Sequence, residues 1–317
     1  MEKTRFKYTF SIFSILVALI ALPVGAQRQL KLPTDEQIKE QVPNGVTFVP
    51  NIAYREGNDA WKLDLAMPKE RGGSPRPALV IIHGGGWRNG DKRAPSFLNP
   101  TLSYAEKGYV CITVNYRLLE GKSTSIDHCV EDVKNAVRWL RAHAEKYNVD
   151  PNRIGATGNS AGAHLSVMLA VCPKDAGLEG AGPYQDFSSE VQAVAASATP
   201  TSFLVPMSDR ARERFEKEQE NPNTEREALR RKISPITYVS AEVPPMLLVH
   251  EASDKTVGVY QSDTFIQALR EVGAKDINYI LFGDGTGHGT FRRNISVTEP
   301  AREAFFARTL KLEPRPN

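Results

Sequence analysis

The residues in this sequence best suited to chemistry are a serine, a carboxylate and a histidine, far apart in the chain and each among small neighbours. Ser160 lies in Gly158-Asn159-Ser160-Ala161-Gly162, a G-x-S-x-G pattern between the strand-like RIGAT and an apolar run that starts at Ala161. A serine on a sharp strand-to-helix turn is pushed out of a sheet, and only small flanking residues let the neighbouring backbones pass. The helix that follows aims unpaired N–H groups and partial positive charge at any anion forming there. A serine hydroxyl is a weak nucleophile until a base takes its proton, and a histidine base needs a carboxylate to fix its tautomer. The chemistry such a set supports is acyl transfer.

Of six histidines, His288 is best placed as the base, in the small-residue loop Asp284-Gly285-Thr286-Gly287-His288-Gly289. His83, His164 and His250 sit at the start of a glycine loop, inside the helix after Ser160 and at the end of an apolar strand, where packing and hydrogen bonding are the expected duties. His128 and His143 fall on or near the polar side of a long helix and are expected to be solvated. For the carboxylate, Asp254 in Glu251-Ala252-Ser253-Asp254-Lys255-Thr256 gives the chain order Ser, Asp, His. Glu251, nearer the strand end, and Asp284, four residues from His288, remain rivals. An acyl transfer also creates an oxyanion, which needs backbone N–H groups unobstructed by side chains. His83-Gly84-Gly85-Gly86-Trp87, directly after the strand PALVII, supplies such a run, so the expected donors are Gly85, Gly86 and Ala161. No His, Cys, Asp and Glu set has metal-ligand spacing, and the glycines near His288 lack the helix start of a nucleotide loop. Neither metal nor cofactor is expected.

These loops need a sheet that brings its strand ends to one edge, and the chain alternates strand-like and helix-like segments from about residue 46 onward. Stretches 46–53 and 60–67 flank Glu56-Gly57-Asn58-Asp59 and read as an antiparallel hairpin. The continuous apolar runs 77–83 and 109–115 fit strands covered on both faces. Apolar residues at 126, 129, 130, 133, 136, 137, 140 and 144 mark a helix with one buried stripe. Further strands are expected at 153–157, 191–198, 245–250 and 277–282, and helices at 161–171, 261–272 and 300–310. Residues 200–242 break this rhythm. Their stretch 209–232, dense in Arg, Glu and Lys, reads as an insertion over the sheet, either a cap or a solvated excursion.

Lys3, Arg5 and Lys7, then an apolar run over 10–22, then Val24-Gly25-Ala26, form the pattern of an export signal cleaved after Ala26. That apolar run is shorter than the roughly 20 residues a bilayer crossing needs. The remainder, 27–317, is long enough for one large α/β domain. The formal net charge of +3 falls to about +1 without the leader, which argues against nucleic acid or an anionic membrane surface as partner. Cys111, Cys129 and Cys172 each lie in apolar surroundings and read as core thiols, with one disulfide still open.

HGGGWRNGDK, the helix EDVKNAVRWLRAHAEKYNVDPNRIGATGNSAG, the stretch SPITYVSAEVPPMLLVHEASD and the terminal GTGHG together resemble the bacterial bifunctional deacetylase and feruloyl esterase group, neighbours of the hormone-sensitive lipase-like carboxylesterases. The resemblance spans the chain from the opening hairpin to the last helix. It implies an α/β-hydrolase fold, with a mostly parallel central sheet flanked by helices, an antiparallel N-terminal hairpin and a charged cap-like insertion. It also implies Ser160 as nucleophile, Asp254 as acid, His288 as base, Gly85, Gly86 and Ala161 as oxyanion donors, and a small-molecule or polysaccharide-linked ester as substrate. Two positions depart from the group's pattern. Ala163 stands where glycine often follows the nucleophile motif, and His250-Glu251 stands where His-Gly is usual. A serine amidase, arylformamidase or peptidase-like hydrolase, and a non-catalytic binding protein on the same fold, are the competing readings.

Overall fold

A computed structural model describes residues 32–312 apart from 71 and 122, all within a unit that begins at Leu32. The leader expected over residues 1–26 lies outside the described residues. Eight strands form one sheet in the order β1-β2-β4-β3-β5-β6-β7-β8. They are β1 (Val46–Ala53), β2 (Lys62–Pro68), β3 (Arg76–Ile82), β4 (Val110–Val114), β5 (Val149–Asn159), β6 (Ala193–Ser197), β7 (Met246–Glu251) and β8 (Ile277–Phe282). β1 and β2 run antiparallel, as does β2 against β4, and every later pairing is parallel. This is the α/β-hydrolase arrangement that the alternating pattern and the resemblance led one to expect.

The helices are α1 (Asp35–Gln41), α2 (Pro95–Glu106), α3 (Ile126–Ala142), α4 (Ala144–Tyr147), α5 (Ala161–Val171), α6 (Asp209–Gln219), α7 (Thr224–Lys232), α8 (Tyr260–Glu271), α9 (Thr290–Arg293) and α10 (Ile295–Thr309). Apolar residues of α3, α5 and α8 bury one sheet face, and those of α1, α2 and α10 bury the other. Burial of both faces explains why β3 and β4 are continuous apolar runs. β5 runs longer than the expected 153–157 because Val149 already pairs with Arg76, beyond a register irregularity. The closing helix starts at Ile295, not Pro300, and carries that proline inside it.

The outer side of α3 is not the solvated face its pattern implied. Lys134 and Arg138 are buried and both pair with Glu179, while Arg141 donates to the carbonyls of Pro151, Ser188 and Glu190. Residues 173–190 therefore roof the helix and supply the acceptors its cations need, since a buried charge is tolerated only when paired. His143 and His128 are likewise half-buried rather than solvated. His143 stacks on Trp139 and bonds its carbonyl, and His128 closes the α3 capping box by accepting from the Ser125 N–H. All three cysteines are free and buried, so the open disulfide does not form. No helix among the described residues is long and apolar enough to cross a membrane.

Within the 200–242 segment, α6 and α7 contain no buried residue and are tied to each other by Arg230 and Arg226, which both reach Glu218. The ends of the segment, in contrast, are tied to the sheet's upper edge. Gln261 accepts from the N–H groups of Thr201 and Ser202, and Tyr260 donates its hydroxyl proton to Pro206 O. A cavity of about 240 Å³ lies between this base and α6, lined by Phe203, Val205, Met207 and Phe215 among others.

Candidate active site

Ser160 stands between the last residue of β5 and the first of α5, with φ 54° and ψ −122°. A non-glycine residue seldom holds this backbone conformation, so the surrounding structure must enforce it. Packing does so: a Cβ on Gly158 would lie 2.5 Å from the Gly162 carbonyl carbon, and one on Gly162 only 2.1 Å from Ile82 O. These two glycines let β3, β5 and α5 close on one another. The Ser160 N–H donates to Ser197 O at 2.9 Å, pinning the turn to the end of β6. The serine hydroxyl is left at the head of α5, where unpaired N–H groups favour negative charge.

The glycine loop after β3 abuts this turn. A Cβ on Gly84 would meet Asn159 O at 2.7 Å, and one on Gly85 would meet Asn89 O at 1.9 Å. Gly85, at φ 127°, and Gly86, at φ 61°, occupy backbone conformations that a side chain would strain. The N–H groups of Gly85, Gly86 and Ala161 donate to no other group among the described residues. They meet the chemical requirement of an oxyanion hole, which is donors not already committed to the protein.

A buried charge cluster that the sequence reading missed fixes this loop from behind. Asp64, an acid inside the apolar run of β2, accepts from Lys92 Nζ at 2.7 Å and from Arg93 Nε at 2.8 Å. Lys92 Nζ also donates to Asn51 Oδ1, and its N–H donates to Asn115 Oδ1. Asp64 and Lys92 are both buried, a placement tolerated because the charges are paired, with Arg93 as the second partner of Asp64. The signal was present as a lone acid at a core strand position and a Gly-Asp-Lys run just after the glycines.

The carboxylate and the histidine come from the ends of β7 and β8. Asp254 follows β7 with only 6% of its surface exposed, and its Oδ1 accepts from the N–H groups of Thr256 and Val257. Its Oδ2 lies 2.8 Å from His288 Nδ1, and His288 Nε2 lies 3.0 Å from Ser160 Oγ. An ionised carboxylate can only accept, so Nδ1 carries the proton and Nε2 is free to take one from the serine. Burial alone would raise the Asp254 carboxyl. The hydrogen bonds from His250, His288 and the Thr256 N–H outweigh it and hold the group well below the usual carboxylate range.

Ser160, Asp254 and His288 are thus brought together, and the two rival acids are not part of the set. Asp284 is exposed and accepts from Thr286 in its own loop and from Asn294 at the end of α9. Glu251 is buried, and its carboxylate bonds backbone N–H groups and Ser253 rather than the imidazole. The remaining histidines have structural partners, as expected. His83 stacks on Tyr116, and burial pushes its imidazole down to about 4. His164 donates to Ile233 O and is pushed to about 4 for the same reason. His250 donates to Val257 O and lies 3.5 Å from Asp254 Oδ2, while its Nδ1 accepts from Ser262.

Known proteins with similar sequences and structures fit this arrangement. The chain is 33% identical over 237 residues to the probable carboxylic ester hydrolase LipM of Mycobacterium tuberculosis, covering 72% of this chain and 53% of that protein. It is 30% identical over 274 residues to esterase LipQ of the same organism, covering 78% of this chain and 62% of that protein. The chain thus spans a little over half the length of these curated relatives. Among solved structures, esterase 2 of Thermogutta terrifontis phosphonylated by sarin superposes with a TM-score of 0.70 at 26% identity, over 86% of this chain and 98% of that one. A truncated carbohydrate esterase from gut microbiota gives 0.69 at 26% identity, over 84% and 96%. The BD-FAE family model matches residues 63–269, from β2 through α8 and hence across Ser160, Asp254 and the glycine loop, and the chain belongs to the BD-FAE family of α/β-hydrolases.

Proposed function

We propose that this protein is a serine carboxylic ester hydrolase working through an acyl-serine intermediate. The observation that carries the reading is the unbroken hydrogen-bond line from Asp254 through His288 to Ser160 Oγ, 2.8 and 3.0 Å long. His288 Nε2 takes the serine proton as Oγ attacks the ester carbonyl, and the developing oxyanion is met by the N–H groups of Gly85, Gly86 and Ala161. The imidazolium returns its proton to the departing alcohol, leaving the acyl group on Ser160. In the second half the same nitrogen activates water, which releases the acid and restores the serine. Asp254 stabilises the imidazolium in both halves without taking the proton itself.

The proposed substrate is an acetyl or feruloyl ester on polysaccharide, outside the cell. Export is supported by the leader pattern over residues 1–26, and the polysaccharide by the structural likeness to a carbohydrate esterase. The test is turnover of p-nitrophenyl acetate, butyrate and octanoate, and of acetylated and feruloylated glycans, beside Ser160→Ala and matched amides. The reading requires ester turnover that falls at least about a thousandfold in the variant. Equal rates in both proteins, or amides cleaved faster than esters, would overturn it.

A further inference from the structure

Glu251, the residue that departs from the family's His-Gly, has no part in the hydrogen-bond line yet is only 1% exposed. A carboxylate seldom survives such burial without compensating donors. Four reach it. Ser253 supplies its N–H at 2.9 Å and its hydroxyl at 2.5 Å, both to Oε2. The other two come from 34 and 36 residues further along the chain, Gly285 N–H at 3.1 Å to Oε1 and Gly287 N–H at 2.9 Å to Oε2. A residue serving only its own turn would need the Ser253 bonds alone. The distant pair ends on the loop that carries His288, and Gly287 is its immediate neighbour.

That loop has particular need of a tether. Glycines occupy positions 283, 285, 287 and 289, and Gly285 and Gly287 hold φ of 75° and 56°. Glycine-rich backbone loses more freedom on ordering than any other. The loop's other side-chain bonds, from Thr286 and Asn294 to the Asp284 carboxylate and from Arg293 to Thr286 O, shape it locally and tie it to α9. They do not reach β7. Among the described residues, the side chains that join this loop to the segment after β7 are Glu251 and His288 itself. Glu251 also governs the opposite end of the His288–Asp254 bond, since its Ser253 contacts and its own carbonyl, which accepts from the Asp254 N–H, set the turn that presents the acid.

We propose that Glu251 is a positioning residue, one carboxylate that clamps the acid-bearing turn and the histidine loop in mutual register so that Nδ1 of His288 faces Asp254 while Nε2 faces Ser160. The proposal rests on the acyl-serine reading above. Hydrogen bonds to a charged acceptor are about twice as strong as neutral ones, so a carboxylate is the side chain suited to holding two glycine N–H groups at once. The same donors pull the Glu251 carboxyl below its usual range although burial alone would raise it. The charge is therefore kept where the clamp requires it.

The experiment compares Glu251→Gln and Glu251→Ala with wild type and Ser160→Ala, measuring kcat and KM on p-nitrophenyl acetate and the low-field proton resonance of the His288–Asp254 bond. A 1 Å misplacement of a reacting group can cost about a hundredfold, so Glu251→Ala should lower kcat roughly 10- to 100-fold with KM within about twofold. Its low-field resonance should broaden or vanish. Glu251→Gln keeps the shape and one acceptor oxygen, so its loss should be smaller, about 3- to 10-fold, and it remains informative if the alanine variant does not fold. A kcat within twofold of wild type in the folded variants, with the resonance intact, would refute the clamp. If wild type itself shows no Ser160-dependent turnover, the acyl-serine reading fails while the resonance still decides whether Glu251 sets the His288–Asp254 bond.

Discussion

In the proposed reaction, Ser160, His288 and Asp254 divide one task among three physical environments. The serine sits in a strained turn, half-exposed, where a substrate carbonyl can approach. The imidazole is partly exposed and its tautomer is set by Asp254, which is nearly enclosed and receives Oδ1 bonds from two backbone N–H groups. Replacing Asp254 by Asn offers a donor where an acceptor is needed and forces the wrong tautomer. Asp254→Asn should therefore keep the fold and KM while kcat drops about ten-thousandfold. The depressed carboxyl of Asp254 fixes the sign of its pH effect. Its folded value lies below its unfolded one of about 3.9, so the stability it contributes is complete above about pH 4 to 5 and is lost as pH falls through the folded value. The acid limb of kcat/KM then does not report protonation of Asp254, and a rate profile that falls only with the onset of acid unfolding would contradict this.

At the scale of elements, the site is made by the ends of β3, β5, β7 and β8 and the loops that leave them, and close packing at glycines holds them together. Gly162 allows α5 to start directly against β3, so Gly162→Ala must push a methyl group into Ile82 O. The expected result is either an insoluble chain or a fall of several degrees in melting midpoint together with loss of activity, read by thermal unfolding and p-nitrophenyl acetate turnover. Strands and site were legible because both signals are local: apolar runs of strand length, and small-residue motifs placed directly after them. The helix after β3 was not legible. Pro95-Ser96-Phe97-Leu98-Asn99-Pro100 holds two prolines and few strong helix formers, and only burial of Phe97, Leu98, Thr101, Leu102, Tyr104 and Ala105 against the sheet makes it helical. The helix α1 was also missed, although Thr34 and Gln37 form a capping box at its start. The Asp64–Lys92 cluster was hidden for a different reason, since the pairing of residues 28 apart exists only once β2 and the glycine loop are neighbours. The histidines of α3 were misjudged because periodicity reports the sheet-facing stripe and is silent about a roof built from residues further along the chain.

Across the molecule, one sheet with helices on both faces provides the support for this edge, and the charged pair α6 and α7 stands outside it. No disulfide contributes to that support. Cys111 lies in β4, Cys129 in α3 and Cys172 just after α5, all buried, and burial pushes each thiol upward. Thiol titration should find no reactive cysteine in the folded protein and all three after denaturation, and a reducing agent should leave the melting midpoint unchanged. A midpoint that drops on reduction would mean a bridge forms that the fold does not provide for. Among the described residues, the base of the 200–242 segment approaches the site, where Phe203 packs against Trp87 of the glycine loop and against His164. Its effect is therefore expected on the choice of ester rather than on the bond-breaking step.

In the proposed reaction the acyl group passes through Ser160. The most direct measurement is peptide mapping by mass spectrometry after brief mixing with p-nitrophenyl acetate and an acid quench, for wild type and Ser160→Ala. An acetyl group is expected on the peptide holding Gly158-Asn159-Ser160-Ala161-Gly162 in wild type and on no peptide of the variant. An acetyl group on another residue, or ester turnover undiminished in Ser160→Ala, would contradict it.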